Sequence, residues 1–394
     1  MGSFDHLIYT IPEEHHSWEG YASPRAGYPG HSVHPGCHMN MGFSVATKEE
    51  YMEVPHMHHA VDEYLVFTGA DLVNFFESFD AEVEVWLGDD PLKLEKITIT
   101  KPTIIRVPPN TWHCPINFKR VGKPVCFIPL YLDGRWSKIT REEDAEGTEF
   151  FRYDGEGIRH CVRDKEKICT YCGKCFSEMA RDAEAAGVAD DFLKPYYEMA
   201  ERNPHSGKYD HLVYTMEPDY HQWGDTFANP RAGFPGVQVM EDSNLYYGYD
   251  IMLKECPMDD AHIHHAVEEY LMFTGADLMN PFASFDAEIT IMLGDDPDHM
   301  EEYTITSPTV IRIPPNVWHC PINFKRVGKP VNFMPIYPDG CWSKISREFK
   351  PDGTPRFVYE GVGLSRCRLH PEKICSYCGK CYSMMLEQQS RDTV

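Results

Sequence analysis

His56-Met57-His58-His59-Ala60-Val61-Asp62-Glu63-Tyr64 is the stretch whose reading decides the fold. Side chains alternate faces along an extended strand, so His56 and His58 point one way and Met57 the other. A turn then lets Glu63 bring a carboxylate to the two imidazoles. A fourth donor is expected from Pro108-Pro109-Asn110-Thr111-Trp112-His113, where a prolyl turn leads a later strand back across the same space. Imidazole and carboxylate converging from separate strands are the donors of a divalent transition metal.

The whole pattern is written twice. His262-Ile263-His264-His265-Ala266-Val267-Glu268-Glu269-Tyr270 repeats the first stretch, and Pro314-Pro315-Asn316-Val317-Trp318-His319 repeats the second. From Pro24 onward residue n matches residue n+206, and eighteen of the twenty residues Arg106–Val125 recur at 312–331. A period that long is that of two similar domains, not of a solenoid. Inside each unit, runs rich in Val, Ile and Thr (Ala81–Leu87, Lys96–Thr100, Thr103–Val107) are separated by Gly88-Asp89-Asp90-Pro91, Lys101-Pro102 and Pro108-Pro109-Asn110. Short strands with frequent turn signals predict a sandwich or barrel. Glu178–Arg202, rich in Ala, Glu and Asp, reads instead as helix joining the two units, broken before Pro195.

These residues resemble the two motifs of the cupin superfamily, His-x-His-x4-Glu and Pro-x-Gly-x2-His-x3-Asn. Asn110 and Asn316 stand where that pattern has glycine, a tolerable change because Asn also accepts positive φ; Asn117 and Asn323 complete the second motif. The resemblance implies an all-β chain of two tandem cupin (double-stranded β-helix, jelly-roll) barrels. Their expected extents are residues 1–176 and 209–394, with a helical linker at 177–208. It further implies one metal on His56, His58, Glu63 and His113, and a second on His262, His264, Glu269 and His319. His59 and His265 face the other way along the strand and are expected outside the donor set. Three imidazoles and a carboxylate suit Mn, the foremost expectation, and also Fe, Ni, Co or Zn. Around an octahedral ion they leave two adjacent positions for water, O2 or a chelating substrate, which points to catalysis rather than a structural metal.

A second constellation closes each unit. Cys161, Cys169, Cys172 and Cys175 return as Cys367, Cys375, Cys378 and Cys381, in the spacing Cys-x7-Cys-x2-Cys-x2-Cys. Four thiolates around a glycine-containing turn (Gly173, Gly379) can close a tetrahedral zinc shell. An iron–sulfur cluster is the alternative, although the fourth cysteine lies upstream and no Cys-Pro follows. Such knuckles favour a reducing setting. Cys114 and Cys320, directly after the ligand histidines, are expected to pack on the opposite face of the strand.

The 394 residues carry 37 basic and 61 acidic side chains, a formal charge of −24. That surface repels phosphate backbones and argues against nucleic acid. Met1–Thr10 has neither the basic nor the apolar region of a signal peptide, and no apolar run approaches the ~20 residues that span a bilayer. A cytoplasmic protein acting on a small oxygen-rich molecule, able to form homo-oligomers, is expected. Arg106 and Arg312 could orient an anionic substrate, but a salt bridge within the barrel is the favoured use. Arg25 and Arg231 share that ambiguity. His16, His221, Trp18 and Trp223 read as surface packing, and Tyr64 and Tyr270 as facing away from the metal. No general acid or base beyond a metal-bound water stands out.

Two complete donor sets resemble those of oxalate decarboxylases and quercetin-type dioxygenases. The favoured expectation is nevertheless O2-independent hydrolytic cleavage of a carbon–carbon bond in a small 1,3-diketone, as in manganese-dependent cyclohydrolases acting on dihydrophloroglucinol. The dioxygenase or decarboxylase class is the first alternative, and a non-catalytic metal-binding bicupin the second.

Overall fold

The computed structural model describes residues 2–58, 61–155, 207–264, 267–353 and 355–361. The eight knuckle cysteines, His59, His265 and nearly all of the linker expected at 177–208 lie outside the described residues.

The first repeat forms a barrel of two antiparallel sheets. One runs Val213–Thr215, Thr103–Val107, Glu63–Gly69, Val125–Tyr131, Asn40–Gly42, Gly27–Tyr28, with Ser44–Ala46 also on Val125–Tyr131. The other runs Glu149–Gly155, Ser137–Glu143, His56–Met57, Trp112–Val121, Ala81–Gly88, Glu95–Ile99, with Glu50–Met52 also on Trp112–Val121. The second repeat forms the same arrangement: Ile8–Thr10, Thr309–Ile313, Glu269–Gly275, Val331–Tyr337, Tyr246–Met252, Ala232–Phe234 in one sheet, and Glu301–Ile305, Ala287–Gly294, Trp318–Val327, His262–Ile263, Ser343–Phe349, Pro355–Gly361 in the other. The expected strands at 81–87, 96–100 and 103–107 are found within a residue of where the Val/Ile/Thr runs place them. The described residues are nearly all β, in two jelly-roll barrels.

Alternation decides which side chains fill each interior. In Ala81–Gly88, Val83, Val85 and Leu87 join Leu65, Phe67, Ile105, Ile116 and Phe118 in the core of the first barrel. Trp86, on the other face, packs with Met57, Leu94, Trp112, Ile139 and Phe151 in a second apolar layer. Each such aliphatic or aromatic side chain contributes roughly 1.5–3 kcal/mol when fully buried. The second barrel repeats the core with Leu271, Phe273, Ile289, Ile291, Leu293, Ile311 and Phe324.

The compact units are not two sequential blocks. One comprises Pro12–Pro218 and Asp277–Pro281; the other comprises Met1–Ile11, Asp219–Ala276 and Phe282–Val394. Ile8–Thr10 pairs with Thr309–Ile313, so the first strand of the chain completes the barrel of the second repeat. Val213–Thr215 pairs with Thr103–Val107 in the same way in the first. Each short strand covers a sheet edge that would otherwise expose a row of unpaired backbone groups. Similarity along the chain cannot reveal this exchange, because both copies of the strand look alike wherever they dock. No helix among the described residues is long and apolar enough to cross a membrane.

Candidate metal centres

In the first barrel His56 and His113 are direct partners across adjacent strands, and Glu63 opens the strand Glu63–Gly69 of the facing sheet. The donors thus come from both sheets and meet between them. Met57 in the outer layer confirms the alternation that turns His56 and His58 inward. The turn before His113 uses Asn110 at φ 66°, and its counterpart Asn316 at φ 69°, the conformation for which glycine or asparagine is suited.

All four residues are buried: His56 is 3%, His58 2%, Glu63 2% and His113 0% exposed. One potential ligand atom from each lies within 4.8 Å of the others, and the same holds for His262, His264, Glu269 and His319. Glu63 Oε2 is 3.0 Å from His58 Nε2 and 2.8 Å from His113 Nε2. In the second barrel both distances are 3.0 Å. Bonds of ~2.1 Å to a common ion set neighbouring octahedral donors ~3.0 Å apart, so these separations suit a shared metal.

The outer ring nitrogens point the donors. His56 Nδ1 donates to the Val54 carbonyl (2.7 Å), His58 Nδ1 to that of Ser137 (2.5 Å) and His113 Nδ1 to that of Thr111 (3.3 Å). His262, His264 and His319 do the same toward Asp260 (2.7 Å), Ser343 (2.6 Å) and Val317 (3.1 Å). With the proton on Nδ1, the Nε2 lone pair is free to ligate, the usual orientation of metal-binding histidines. His113 Nε2 and His319 Nε2 are buried and accept no hydrogen bond. Burial, then the neighbouring His113 and His58, hold His56 well below the ordinary imidazole range. Burial pushes Glu63 upward, but the facing His58 and His113 overcome it and keep the carboxyl well below its usual value. A neutral imidazole and an ionised carboxylate are the protonation states that ligation requires. The residues fit a divalent metal in each barrel.

Tyr131 and Tyr337, which were not singled out from the sequence, complete the surroundings. Tyr131 is the ladder partner of Glu63, and its ring meets His58 edge-on at 4.9 Å. Tyr337 meets His264 at 5.0 Å. Burial and then the adjacent glutamate raise both phenols well above the ordinary tyrosine range. Trp136 Nε1 donates to the Tyr131 oxygen (3.1 Å). Both tyrosines recur at the repeat offset, but only strand pairing brings them to the glutamates.

Arg106 is committed to Asp62 (Nε–Oδ1 2.8 Å), and Arg312 to Glu268 (Nε–Oε1 3.1 Å). The salt-bridge reading of both therefore holds. Glu268 also accepts from Tyr270 (2.5 Å), on the face of the strand opposite Glu269. Asn117 donates to Glu84 (2.9 Å) rather than joining the donors. His16 stacks on the half-exposed Trp18 with centroids 4.5 Å apart, and His221 on Trp223 at 4.7 Å.

Cys114 corrects an expectation. It packs with Leu65, Val107 and Ile116 inside the barrel and not on the opposite face. The ladder slips between His113 and Ile116, and Cys114 takes φ 71° in that irregularity. The bulge lets His113 and Ile116 both face inward, with the thiol between them. Burial, reinforced by Glu53 and Glu63, holds the thiol well above its usual range, so it stays protonated and unreactive.

No protein-family model and no curated protein sequence matches this chain. Solved structures do. A single-residue variant of Bacillus subtilis oxalate decarboxylase gives a TM-score of 0.50 at 11% identity, covering 86% of this chain and 79% of that one. Lactobacillus farciminis oxalate decarboxylase in complex with formate gives 0.51 at 11% identity, covering 88% and 90%. A structure of the Bacillus subtilis enzyme concerned with its Mn(II) centres gives 0.50 at 11% identity, covering 86% and 79%. The likeness supports the fold, two tandem barrels of the cupin type in one chain, and the buried His3Glu cluster in each barrel is a feature of this chain's own geometry.

Proposed function

We propose that the protein is a manganese-dependent bicupin enzyme that cleaves a carbon–carbon bond in a small, oxygen-rich substrate. The observation that carries this reading is the buried tyrosine, Tyr131 or Tyr337, set against the His3Glu cluster of each barrel. When bound, the metal supplies Lewis acidity, with two adjacent positions for substrate oxygens. The electron pair of a cleaved carbon–carbon bond stays on one carbon, which must take up a proton. A buried phenol kept neutral by its surroundings holds such a proton in a site from which bulk water is excluded. Glu63 and Glu269 orient these phenols, and the backbone carbonyls on Nδ1 orient the imidazoles.

Decarboxylation of a small carboxylate is the first reading, supported by the fold shared with oxalate decarboxylases of which one is described for its Mn(II) centres. In it the carboxylate leaves as CO2 and the remaining carbon is protonated. Hydrolytic ring opening of a cyclic 1,3-diketone such as dihydrophloroglucinol is the second. It is favoured by the commitment of Arg106 and Arg312 to Asp62 and Glu268, which removes two candidate clamps for a dicarboxylate. In it water adds to one carbonyl, the adjacent bond breaks and the released carbon is protonated.

The test is turnover of oxalate, flavonols and dihydrophloroglucinol by protein of measured manganese content, in air and under argon. CO2 release from oxalate supports the first reading. Ring opening with one 18O incorporated from labelled water under argon supports the second. Oxygen incorporation from O2 into a flavonol would replace both with the dioxygenase class. No turnover by fully loaded protein would leave the non-catalytic alternative.

A further inference from the structure

The two barrels share their donors but differ beside them. At the repeat offset Ser44 corresponds to Asp250, Asn40 to Tyr246 and Gly42 to Gly248, while Arg25 and Arg231 are the same residue in both. Asp250 is the ladder partner of Phe333, and Met252 of Val331. Phe333, Met252 and Val331 all belong to the core of the second barrel. Asp250 therefore faces the barrel interior, where it is 4% exposed.

Arg231 follows it inward. Its Nε lies 2.5 Å from Asp250 Oδ1, and Nη2 reaches Oδ2 at 3.4 Å. A Cβ built on Gly248 would meet Arg231 Nη2 at 2.6 Å, whereas one on Gly42 would meet nothing within 4 Å. The guanidinium thus occupies, in the second barrel, a place that is open space in the first. Both guanidinium groups lie over the corresponding tryptophan, Arg25 4.5 Å from the Trp18 ring and Arg231 5.3 Å from the Trp223 ring, but Arg25 pairs with the exposed Glu14 (2.7 Å). The fold itself does not demand an interior Arg–Asp pair, because the first barrel closes with serine at that position. Desolvating two charges is costly, and Arg231 Nε and Asp250 Oδ1 meet as a buried ion pair outside hydrogen-bond geometry.

An aromatic row joins this pair to the metal centre. Tyr246 is the ladder partner of Tyr337, their rings are 5.9 Å apart, and Tyr337 is 5.0 Å from His264. Both charges act on the Tyr246 phenol, which burial raises above the ordinary range. The Arg231 side chain is 23% exposed, and its Nη1 makes no hydrogen bond among the described residues.

We propose that Arg231, held by Asp250, is a substrate-recognition residue of the second barrel alone, donating from Nη1 to a carboxylate or carbonyl oxygen beyond the pair that meets the metal. The assignment rests on the proposed function. It makes the barrels unequal: the second selects substrates with a further oxygen, and the first does not.

The test uses the full-length, manganese-loaded His58→Ala protein, in which only the second barrel retains its donors. Two probes are titrated by calorimetry: malonate, which has oxygens beyond a chelating pair, and acetylacetone, which has none. Losing a charge-assisted hydrogen bond lowers affinity about tenfold or more. Arg231→Leu is expected to weaken malonate by that factor and leave acetylacetone within about twofold. Asp250→Ser, which installs the first barrel's residue, is expected to act in the same direction. Manganese content and thermal unfolding verify that each variant folds. In the reciprocal His264→Ala protein, Arg25→Leu is expected to leave malonate binding unchanged. Binding of both probes with no dependence on Arg231 would overturn the assignment and spare the proposed function. Failure of both probes to bind manganese-loaded protein would overturn the two together.

Discussion

Tyr131 stands edge-on to His58, with ring centroids 4.9 Å apart and planes at 90°, while its backbone pairs with that of Glu63. One residue thereby touches two donors on different sheets, and the same relation recurs between Tyr337 and His264 at 5.0 Å. If these phenols supply the proton, Tyr131→Phe or Tyr337→Phe lowers kcat by about 10²-fold or more in whichever barrel is catalytic. Manganese content stays at the wild-type value, since phenylalanine retains the ring against the imidazole. Steady-state kinetics beside elemental analysis checks both parts; unchanged kcat in the double variant removes the tyrosines from the mechanism.

Each buried His3Glu cluster is expected to hold one manganese ion. His58→Ala and His264→Ala are each expected to remove one of two manganese equivalents, and the double variant both. Loss of activity from one alone identifies the catalytic barrel.

Chelation of the metal also has a stability consequence. Each cluster packs three imidazoles and a carboxylate into an interior less than 4% exposed, an arrangement favoured by the ion it can hold. Metal at 100 times its dissociation constant stabilises a folded site by about 2.7 kcal/mol. Treatment with EDTA is therefore expected to lower the unfolding temperature, and manganese to restore it. An unfolding temperature indifferent to EDTA in fully stripped protein contradicts the assignment.

Arg106 and Arg312 are each paired with an acidic side chain, Asp62 and Glu268. Truncating Arg106 to leucine leaves Asp62 without its 2.8 Å partner and is expected to cost about 1–3 kcal/mol in urea unfolding. KM is expected to change less than twofold, whereas a substrate clamp would raise it at least tenfold.

The first barrel carries an acid-sensitive feature that the second lacks. Glu84 is buried and receives hydrogen bonds from Asn117 (2.9 Å), Lys96 (3.1 Å) and Lys119 (3.1 Å). Burial pushes its carboxyl upward, but Lys119, Lys96 and Asn117 together hold it below the ordinary glutamate range. A lowered folded value contributes stability that is present above the unfolded value and lost as pH falls through the folded one. Glu84→Gln is expected to destabilise the first barrel at pH 7, with the difference from wild type shrinking below pH 4.5. Urea unfolding at pH 7 and pH 4 measures this; a difference that grows on acidification contradicts it. Thr290 stands at the corresponding position of the second barrel.

Much of the site was legible along the chain. Alternation placed His56 and His58 on one face, and the repeat marked Glu63 and His113 as companions of Glu269 and His319. The resemblance to cupin motifs supplied the barrel and the ligand set. Periodicity could not place Cys114, because a bulge between His113 and Ile116 interrupts the two-residue alternation. It could not reveal Tyr131 either, since its link to Glu63 exists only through strand pairing between residues far apart in the chain.

The repeat and the resemblance to cupin motifs therefore gave the two-barrel plan and the eight candidate metal-binding residues from the sequence, because ligand spacing on a strand is a local property and the repeat states it twice. Tertiary structure decided three things: which barrel the first strand completes, which groups surround the donors, and how the barrels differ. Arg25 and Arg231 show why. They are the same residue in the same Pro-Arg-Ala-Gly setting, yet one pairs with exposed Glu14 and the other turns inward to Asp250. A long flexible cation goes to the carboxylate within its reach, and that reach is set by a neighbouring strand, not by its own.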